Sequence, residues 1–230
     1  MSARVVLISG ANRGIGAAIA DRLAADGWNL SLGMRKPEAA PERFKSHHVC
    51  FYDANRPGCE ADWVKSATNR FGRIDAVVNS AGIMTPKSVI DVEEAEIRAM
   101  LDVNVVAPLR LVKAAWDGLS RSGRGRVVTI VSLSGKRVKL AASGAYSVSK
   151  FAALALSHAI RHSGWDLGIR STAICPGLVA TDMAFAISST PAGEMTPPED
   201  VARIVALALD LPNTASVAEI PINCKIEEAY

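Results

Sequence analysis

Tyr146 and Lys150 stand four residues apart in Tyr146-Ser-Val-Ser-Lys150, a spacing that puts both side chains on one face of a helix. A tyrosine phenol ordinarily ionises at about pH 10, and an ammonium held beside it favours the phenolate, bringing that proton within reach of neutral-pH chemistry. Such a pair can serve as general acid for an oxygen on which negative charge develops. Ser132 closes an apolar run fourteen residues before Tyr146. Its hydroxyl can return through the intervening loop and donate a hydrogen bond to the same oxygen.

A second cluster comes earlier. Gly10, Gly14 and Gly16 follow the apolar run Val5-Val6-Leu7-Ile8, and Ala17, Ala18, Ile19, Ala20 and Leu23 then resume at helical spacing. That order reads as buried strand, glycine turn, helix. Glycines let the backbone adopt conformations other residues resist and approach a ligand closely, while the helix N-terminus aims N–H groups at a phosphate. The Gly-x-x-x-Gly-x-Gly spacing differs from the commoner Gly-x-Gly-x-x-Gly fingerprint, but the mechanics are shared and the stretch predicts a dinucleotide site. A turn that merely joins strand to helix would look the same, so the stretch counts only in company.

Positioning these residues requires strands ending where the loops begin. Strand-like runs at 28–34, 49–52, 74–78, 126–132, 170–175 and 217–222 alternate with helical patterns at 61–71, 92–119, 145–163 and from Pro197-Pro198 onward. Residues 37–45 read as a connection with at most a short helix, and Pro108 predicts a bend or local adjustment inside 92–119. Alternation of this kind demands right-handed crossovers, hence an α/β fold: a doubly wound, Rossmann-type parallel sheet of about seven strands with helices on both faces. Ligands in such sheets sit beyond the carboxyl ends of the strands.

With 230 residues, 49% of them apolar, the chain has material for a single domain over 1–230 with a sizeable core. A net charge of +3, with both signs intermixed, argues against nucleic acid as a partner. The start has no charged leader and no apolar run approaches ~18 residues, so no membrane partner and a cytoplasmic location are expected. Cys50, Cys59, Cys175 and Cys224 form no CxxC pair and are expected as buried free thiols. His158 and His162 lack a third ligand, and an alternating strand would put His47, His48, Cys50 and Asp53 on opposing faces, so no metal is assigned.

Taken together the landmarks resemble the short-chain dehydrogenase/reductase family, of the single compact domain kind. They are Ser9-Gly10-x-x-x-Gly14-x-Gly16, Asp53 after the third strand, Asn79-Ser80-Ala81-Gly82, Val103-Asn104-Val105, Ser132, Tyr146-x-x-x-Lys150 and Pro176-Gly177-Leu-Val179-x-Thr181. They follow the family's order across residues 4 to 183. The resemblance implies that Gly10, Asn12, Arg13, Gly14, Ile15 and Gly16 cradle the adenosine ribose and pyrophosphate of a nicotinamide cofactor. Asp53 and Ala54 would meet the adenine, Asn79, Ala81 and Gly82 would line the cleft, and Pro176, Gly177, Val179 and Thr181 would hold the nicotinamide side. It further implies Tyr146 as acid/base and Ser132 as the group that polarises the carbonyl. Lys150 would bond the nicotinamide ribose and lower the phenol's pKa, and Asn104 would hold a water linking Lys150 to solvent. Ser9 stands where relatives more often have threonine, and Ser80 replaces a second asparagine. The interval from Ser132 to Tyr146 runs one residue long, which makes Ser134 a competitor, but Ser132 is kept because Ile130-Val131-Ser132-Leu133-Ser134-Gly135 aligns best with Ser132 at the end of the strand.

Cofactor choice turns on charge at the end of the second strand, where a carboxylate would bond free ribose hydroxyls and repel a phosphate. That place is Met34, followed by Arg35, and with Arg13 in the glycine turn the pair of guanidiniums favours NADP. The implied activity is hydride transfer between NADP and a small-molecule alcohol/carbonyl pair, in the reductive direction. The rivals are an NADP-dependent 3-hydroxy acid dehydrogenase and a non-catalytic nucleotide-binding regulatory protein. Met84, Ser134, Arg137, Val138, Ser143 and Phe185 are expected near the pocket, Arg137 being able to attract an acid group. Residues 183–195 read as a lid, and the long helices beginning near Val92 and Tyr146 suggest a homodimer or homotetramer.

Overall fold

The computed structural model of the chain describes residues 3–226. Seven strands form one parallel sheet: β1 (Val5–Ser9), β2 (Asn29–Met34), β3 (His48–Phe51), β4 (Ala76–Asn79), β5 (Arg126–Ile130), β6 (Arg170–Pro176) and β7 (Glu219–Ile222), in the spatial order β3-β2-β1-β4-β5-β6-β7. The order reverses between β1 and β4, which opens a crevice at their carboxyl ends. β1 reads as an unbroken apolar run because both its faces are covered. Leu7 packs into one core layer with Trp63, Leu111 and Leu119, while Val6 and Ile8 pack into the other with Leu23, Val205 and Leu209. The period of two along a strand divides the run between the two layers.

The helices α1 (Gly14–Ala25) and α7 (Pro198–Asp210) cover one face, and α2 (Cys59–Phe71), α4 (Ala107–Arg121) and α5 (Gly144–Gly164) the other. The helical pattern at 92–119 resolves into α3 (Glu94–Leu101), a π-helical turn at Asp102–Val106, and α4. Pro108 has no N–H to give the carbonyl four residues back, that of Asn104, so the helix widens there and restarts with proline in its first turn. Residues 37–45 hold only two short 3-10 turns. The expected lid comprises α6 (Asp182–Phe185) and a 3-10 turn, tied back by a bridge between Val179 and Thr196.

Two cysteine expectations need correction: Cys59 and Cys175 are buried free thiols, but Cys50 and Cys224 are partly exposed. His48 and Cys50 share a face of β3, as residues two apart must, and their Nε2 and Sγ atoms lie 3.3 Å apart. Among the described residues no group of three His, Cys, Asp or Glu is placed to hold a metal, and no helix is long and apolar enough to cross a membrane.

Candidate active site

The glycine turn and the loop after β4 are clamped together at the crevice. Ser9 pairs in register with Gly33 on one side and Asn79 on the other. Its hydroxyl accepts the N–H groups of Ser80 at 3.1 Å and Ala81 at 3.2 Å. Gly10 has φ +68°, and a Cβ there would stand 2.9 Å from the Ala81 Cα. A Cβ on Gly16 would lie 2.3 Å from the Gly10 carbonyl oxygen. Only bare backbone can approach this closely.

These residues fit a dinucleotide. The first turn of α1 carries no acidic residue and Arg13 supplies no side-chain cap, leaving N–H groups to point at an anion. Asn79 is buried, its Nδ2 reaching Thr129 Oγ1 at 3.4 Å, while its Oδ1 has no hydrogen-bond partner among the described residues. A buried acceptor left open in this way calls for a donor from a ligand. Asn12, Arg13 and Arg35 are exposed around the turn, and the Gly10 N–H bond to the Gly33 carbonyl, 3.1 Å, brings the end of β2 against it. Asp53 and Ala54 follow β3, held there by the Tyr52 N–H on the Met34 carbonyl at 3.0 Å.

On the other side of the crevice Gly177 donates to the Ile222 carbonyl at 2.7 Å, and Thr181 Oγ1 donates to the Val179 carbonyl at 3.2 Å. The Thr181 methyl would be 3.4 Å from a Cβ on Gly14, so the segment after β6 reaches the glycine turn. Ile15, Gly82, Pro176, Gly177, Val179 and Thr181 line a cavity of about 700 Å³ that also takes in Ser132, Tyr146 and Lys150.

Tyr146 and Lys150 lie one turn apart in α5, both buried, with the Lys150 Nζ 5.6 Å from the phenol ring centre. The Nζ donates to the Ile130 carbonyl at 3.0 Å. The Ser132 side chain is near enough to the Tyr146 phenol to influence its ionisation, and the Ser132 hydroxyl accepts the Ser134 N–H at 3.1 Å. The place beside the phenol falls to Ser132 rather than Ser134. Asn104, buried in the π turn, accepts the Ile83 N–H and donates to the Ile83 carbonyl, each at 3.0 Å. Gly82 leaves room between Asn104 and Lys150: a Cβ there would lie 3.3 Å from Oδ1 and 3.7 Å from Nζ.

Electrostatics depart from the expectation set by the Tyr–Lys spacing. Burial drives the Tyr146 phenol above its ordinary value, offset in part by the Ser132 side chain. Burial also lowers the Lys150 ammonium from its usual 10.5 to about 8. Desolvation is the largest influence on each group and favours its uncharged form, so the phenol is held protonated.

Met84, Ser134, Arg137 and Ser143 line the cavity as expected, whereas Val138 and Phe185 do not and are exposed. Three participants escaped the sequence reading: Ser149, which bonds Asn104, the Ile130 carbonyl, and Asp182, whose Oδ2 lies 2.6 Å from Arg13 Nη1. Ser149 is marked in the sequence only by its position before Lys150. The other two carry no signal at all, being contacts between distant segments.

A family model described as short chain dehydrogenase matches residues 4–192. The chain is 37% identical over 231 residues to an agropine synthesis reductase of Rhizobium rhizogenes, with 98% of this chain and 54% of that protein covered. It thus spans about half the length of the agropine synthesis reductases it matches. It is 30% identical over 240 residues to an acetoacetyl-CoA reductase of Allochromatium vinosum, covering 96% of this chain and 97% of that one. Among solved structures, an alcohol dehydrogenase of the archaeon Thermococcus sibiricus complexed with 5-hydroxy-NADP matches with TM-score 0.86 and 28% identity over 100% of both chains. A short chain dehydrogenase from Burkholderia cenocepacia in complex with NADP matches with TM-score 0.85 and 29% identity over 96% of each chain. With the family match running from β1 past the segment after β6, the chain belongs to the short-chain dehydrogenases.

Proposed function

We propose that the chain is an NADP-dependent oxidoreductase acting on an alcohol/carbonyl pair, working as a reductase in the cytoplasm, with both sites on one domain. The observation that carries this reading is that Ser132, Tyr146 and Lys150 line one cavity, the Ser132 side chain beside the Tyr146 phenol and Lys150 one turn further along α5. Two of the matched structures are described as NADP complexes and two matched relatives as reductases.

When bound, the cofactor supplies a hydride to the carbonyl carbon. The chain's own groups manage the charge that results. Ser132 donates a hydrogen bond to the carbonyl oxygen, polarising it, and Tyr146 delivers the phenolic proton as negative charge builds there. Because burial holds the phenol protonated, the reductive direction finds the acid already loaded. Lys150, charged below about pH 8, stabilises the phenolate that remains. Asn104, fixed at both ends by Ile83, keeps the π turn against Gly82 and holds the route between Lys150 and solvent. Gly10, Asn12, Arg13, Gly14, Ile15 and Gly16 hold the ribose and pyrophosphate, Asp53 and Ala54 the adenine with Asn79, Ala81 and Gly82 lining the cleft beside it, Arg13 and Arg35 the extra phosphate, and Pro176, Gly177, Val179 and Thr181 the nicotinamide end.

Leu109 on α4 and Val148 and Phe151 on α5 are apolar and exposed, which supports a homodimer or homotetramer built through these helices. Following NADPH absorbance with a panel of ketones and aldehydes tests the activity. Tyr146→Phe is expected to abolish turnover while NADPH still binds, and unchanged turnover in that variant refutes the mechanism. A wild-type chain that binds NADPH and turns over nothing on the panel favours the regulatory alternative.

A further inference from the structure

The turn that follows Ser132 is pressed onto α5 by bare backbone. It is the 3-10 turn Leu133–Gly135, closed by the Gly135 N–H on the Ser132 carbonyl and the Lys136 N–H on the Leu133 carbonyl, each at 2.9 Å. A Cβ on Gly135 would lie 2.7 Å from the Lys150 carbonyl oxygen, so the turn meets the helix at the residue one turn beyond Tyr146. Lys136, the next residue, reaches the edge of the sheet, where its Nζ donates to Glu219 Oε2. The other oxygen of that carboxylate, Oε1, lies 2.7 Å from Nε2 of His158, two turns along α5 from Lys150. Glu219 opens β7 opposite Ala173 of β6, and Ala173 packs with Val131, Leu133 and Ala153, so the carboxylate stands on the α5 side of the sheet. The Lys136 and Glu219 side chains are 23% and 24% exposed, which spares the pair much of the screening that weakens surface ion pairs. The Lys136 hydrogen bond holds the Glu219 carboxyl below its ordinary range. Lys136, His158 and Glu219 all stand outside the cavity lining.

We propose that Glu219 is a positioning residue for the reaction: its carboxylate, gripped by Lys136 from the Ser132 turn and by His158 from α5, sets where the Ser132 hydroxyl stands relative to the Tyr146 phenol. This rests on the reductase reading above and adds to it a group outside the cavity, which acts through Ser132. A hydroxyl that must meet a carbonyl oxygen tolerates little displacement, and a shift of about 1 Å costs on the order of a hundredfold in rate. Without the carboxylate, Lys136 and His158 lose a shared acceptor in partly buried surroundings. Turning those groups to water draws the turn away from α5 at the Gly135 contact.

Two measurements on the full chain let this inference and the reductase reading fail independently. Hydrogen–deuterium exchange, which needs no turnover, follows the amides of residues 133–137 in the wild type, Glu219→Gln and Glu219→Ala. Exchange there is expected to quicken about tenfold in Glu219→Ala and less in Glu219→Gln, which keeps the length and one accepting oxygen, while β1 and α1 exchange as before. Lys136→Met should reproduce the effect, and adding Glu219→Ala to it should change little, the mark of two groups acting through one contact. Lys136→Met also carries the test if thermal melting shows Glu219→Ala unfolded. NADPH-linked reduction of the carbonyl panel is the second measurement. Here kcat is expected to fall about tenfold in Glu219→Ala and to recover in part in Glu219→Gln, with the KM for NADPH within about twofold of wild type. Unchanged exchange in folded variants overturns the proposal. Quickened exchange with kcat unchanged overturns it too, making the carboxylate structural only. A wild type that reduces nothing on the panel counts against the reductase reading, and the exchange result then decides alone whether Glu219 holds the Ser132 turn.

Discussion

The Asn104 side-chain nitrogen donates to the Ser149 hydroxyl at 3.0 Å, and that hydroxyl donates to the Tyr146 carbonyl at 2.8 Å. The π turn and α5 are thereby joined by one fully buried serine. Ser149→Ala leaves Asn104 with Ile83 alone, at a cost of about 1–2 kcal/mol for the lost buried bond. Urea denaturation should register that loss. The turnover number is expected to drop about tenfold while the Michaelis constant for NADPH stays nearly constant, because the change loosens α5 against the π turn without touching the glycine cradle. A folding loss with no change in turnover would make Ser149 purely structural.

Asn104→Ala removes three bonds at once and strands the Ile83 N–H and carbonyl. A destabilisation of about 2–4 kcal/mol is expected from the exposed desolvation cost, together with reduction slowed at least as strongly as in Ser149→Ala. Thermal melting and NADPH-linked assays measure the two effects on the same preparation.

Lys150 carries a pH signature. Its ammonium falls to about 8 in the fold from 10.5, so the folded state binds fewer protons than the unfolded chain between those values. The favourable contribution is present above about pH 10.5 and is lost as pH falls through about pH 8, a slope measurable by denaturation between those limits. Lys150→Met should abolish that slope, melt no lower than wild type at neutral pH, and reduce carbonyls at least a hundredfold more slowly. In the wild type, kcat/KM for reduction should decline above about pH 8 as the ammonium loses its charge.

The ion pair between Arg13 and Asp182, 2.6 Å with both side chains 69% exposed, adds little to stability. It bears on cofactor choice instead. If Arg13 and Arg35 hold the extra phosphate of NADP, Arg13→Ala/Arg35→Ala should cut the NADPH-over-NADH ratio of kcat/KM by at least tenfold. Asp182→Asn frees Arg13 and should raise the same ratio. Ratios unmoved by either change would assign the phosphate to other groups.

A methyl group on Gly16 would sit 2.3 Å from the Gly10 carbonyl oxygen and force the turn apart. Gly16→Ala is therefore expected to weaken NADPH binding tenfold or more, read by quenching of tryptophan fluorescence, with a lowered melting temperature.

Most of the scaffold could be read from neighbours in the chain. Strand runs, helical spacing and the three glycines depend on local sterics and burial period, and these placed Gly10, Tyr146 and Lys150 on their elements without coordinates. The parallel order of the sheet followed from the alternation and the handedness of crossovers. The break near Pro108 was visible too, but not its form: a π turn is one of several ways to absorb a missing N–H.

What the amino-acid order determined by itself is which segments become strands, turns and helices, and which chemical groups stand at their ends, because those depend on contacts a few residues away. Only the tertiary structure decided that Ser149 ties Asn104 to α5. It also decided that burial raises the pKa of the phenol and lowers that of the Lys150 ammonium. Each of these follows from distances between segments remote in the chain and from the water they exclude, quantities that exist only once the sheet is assembled.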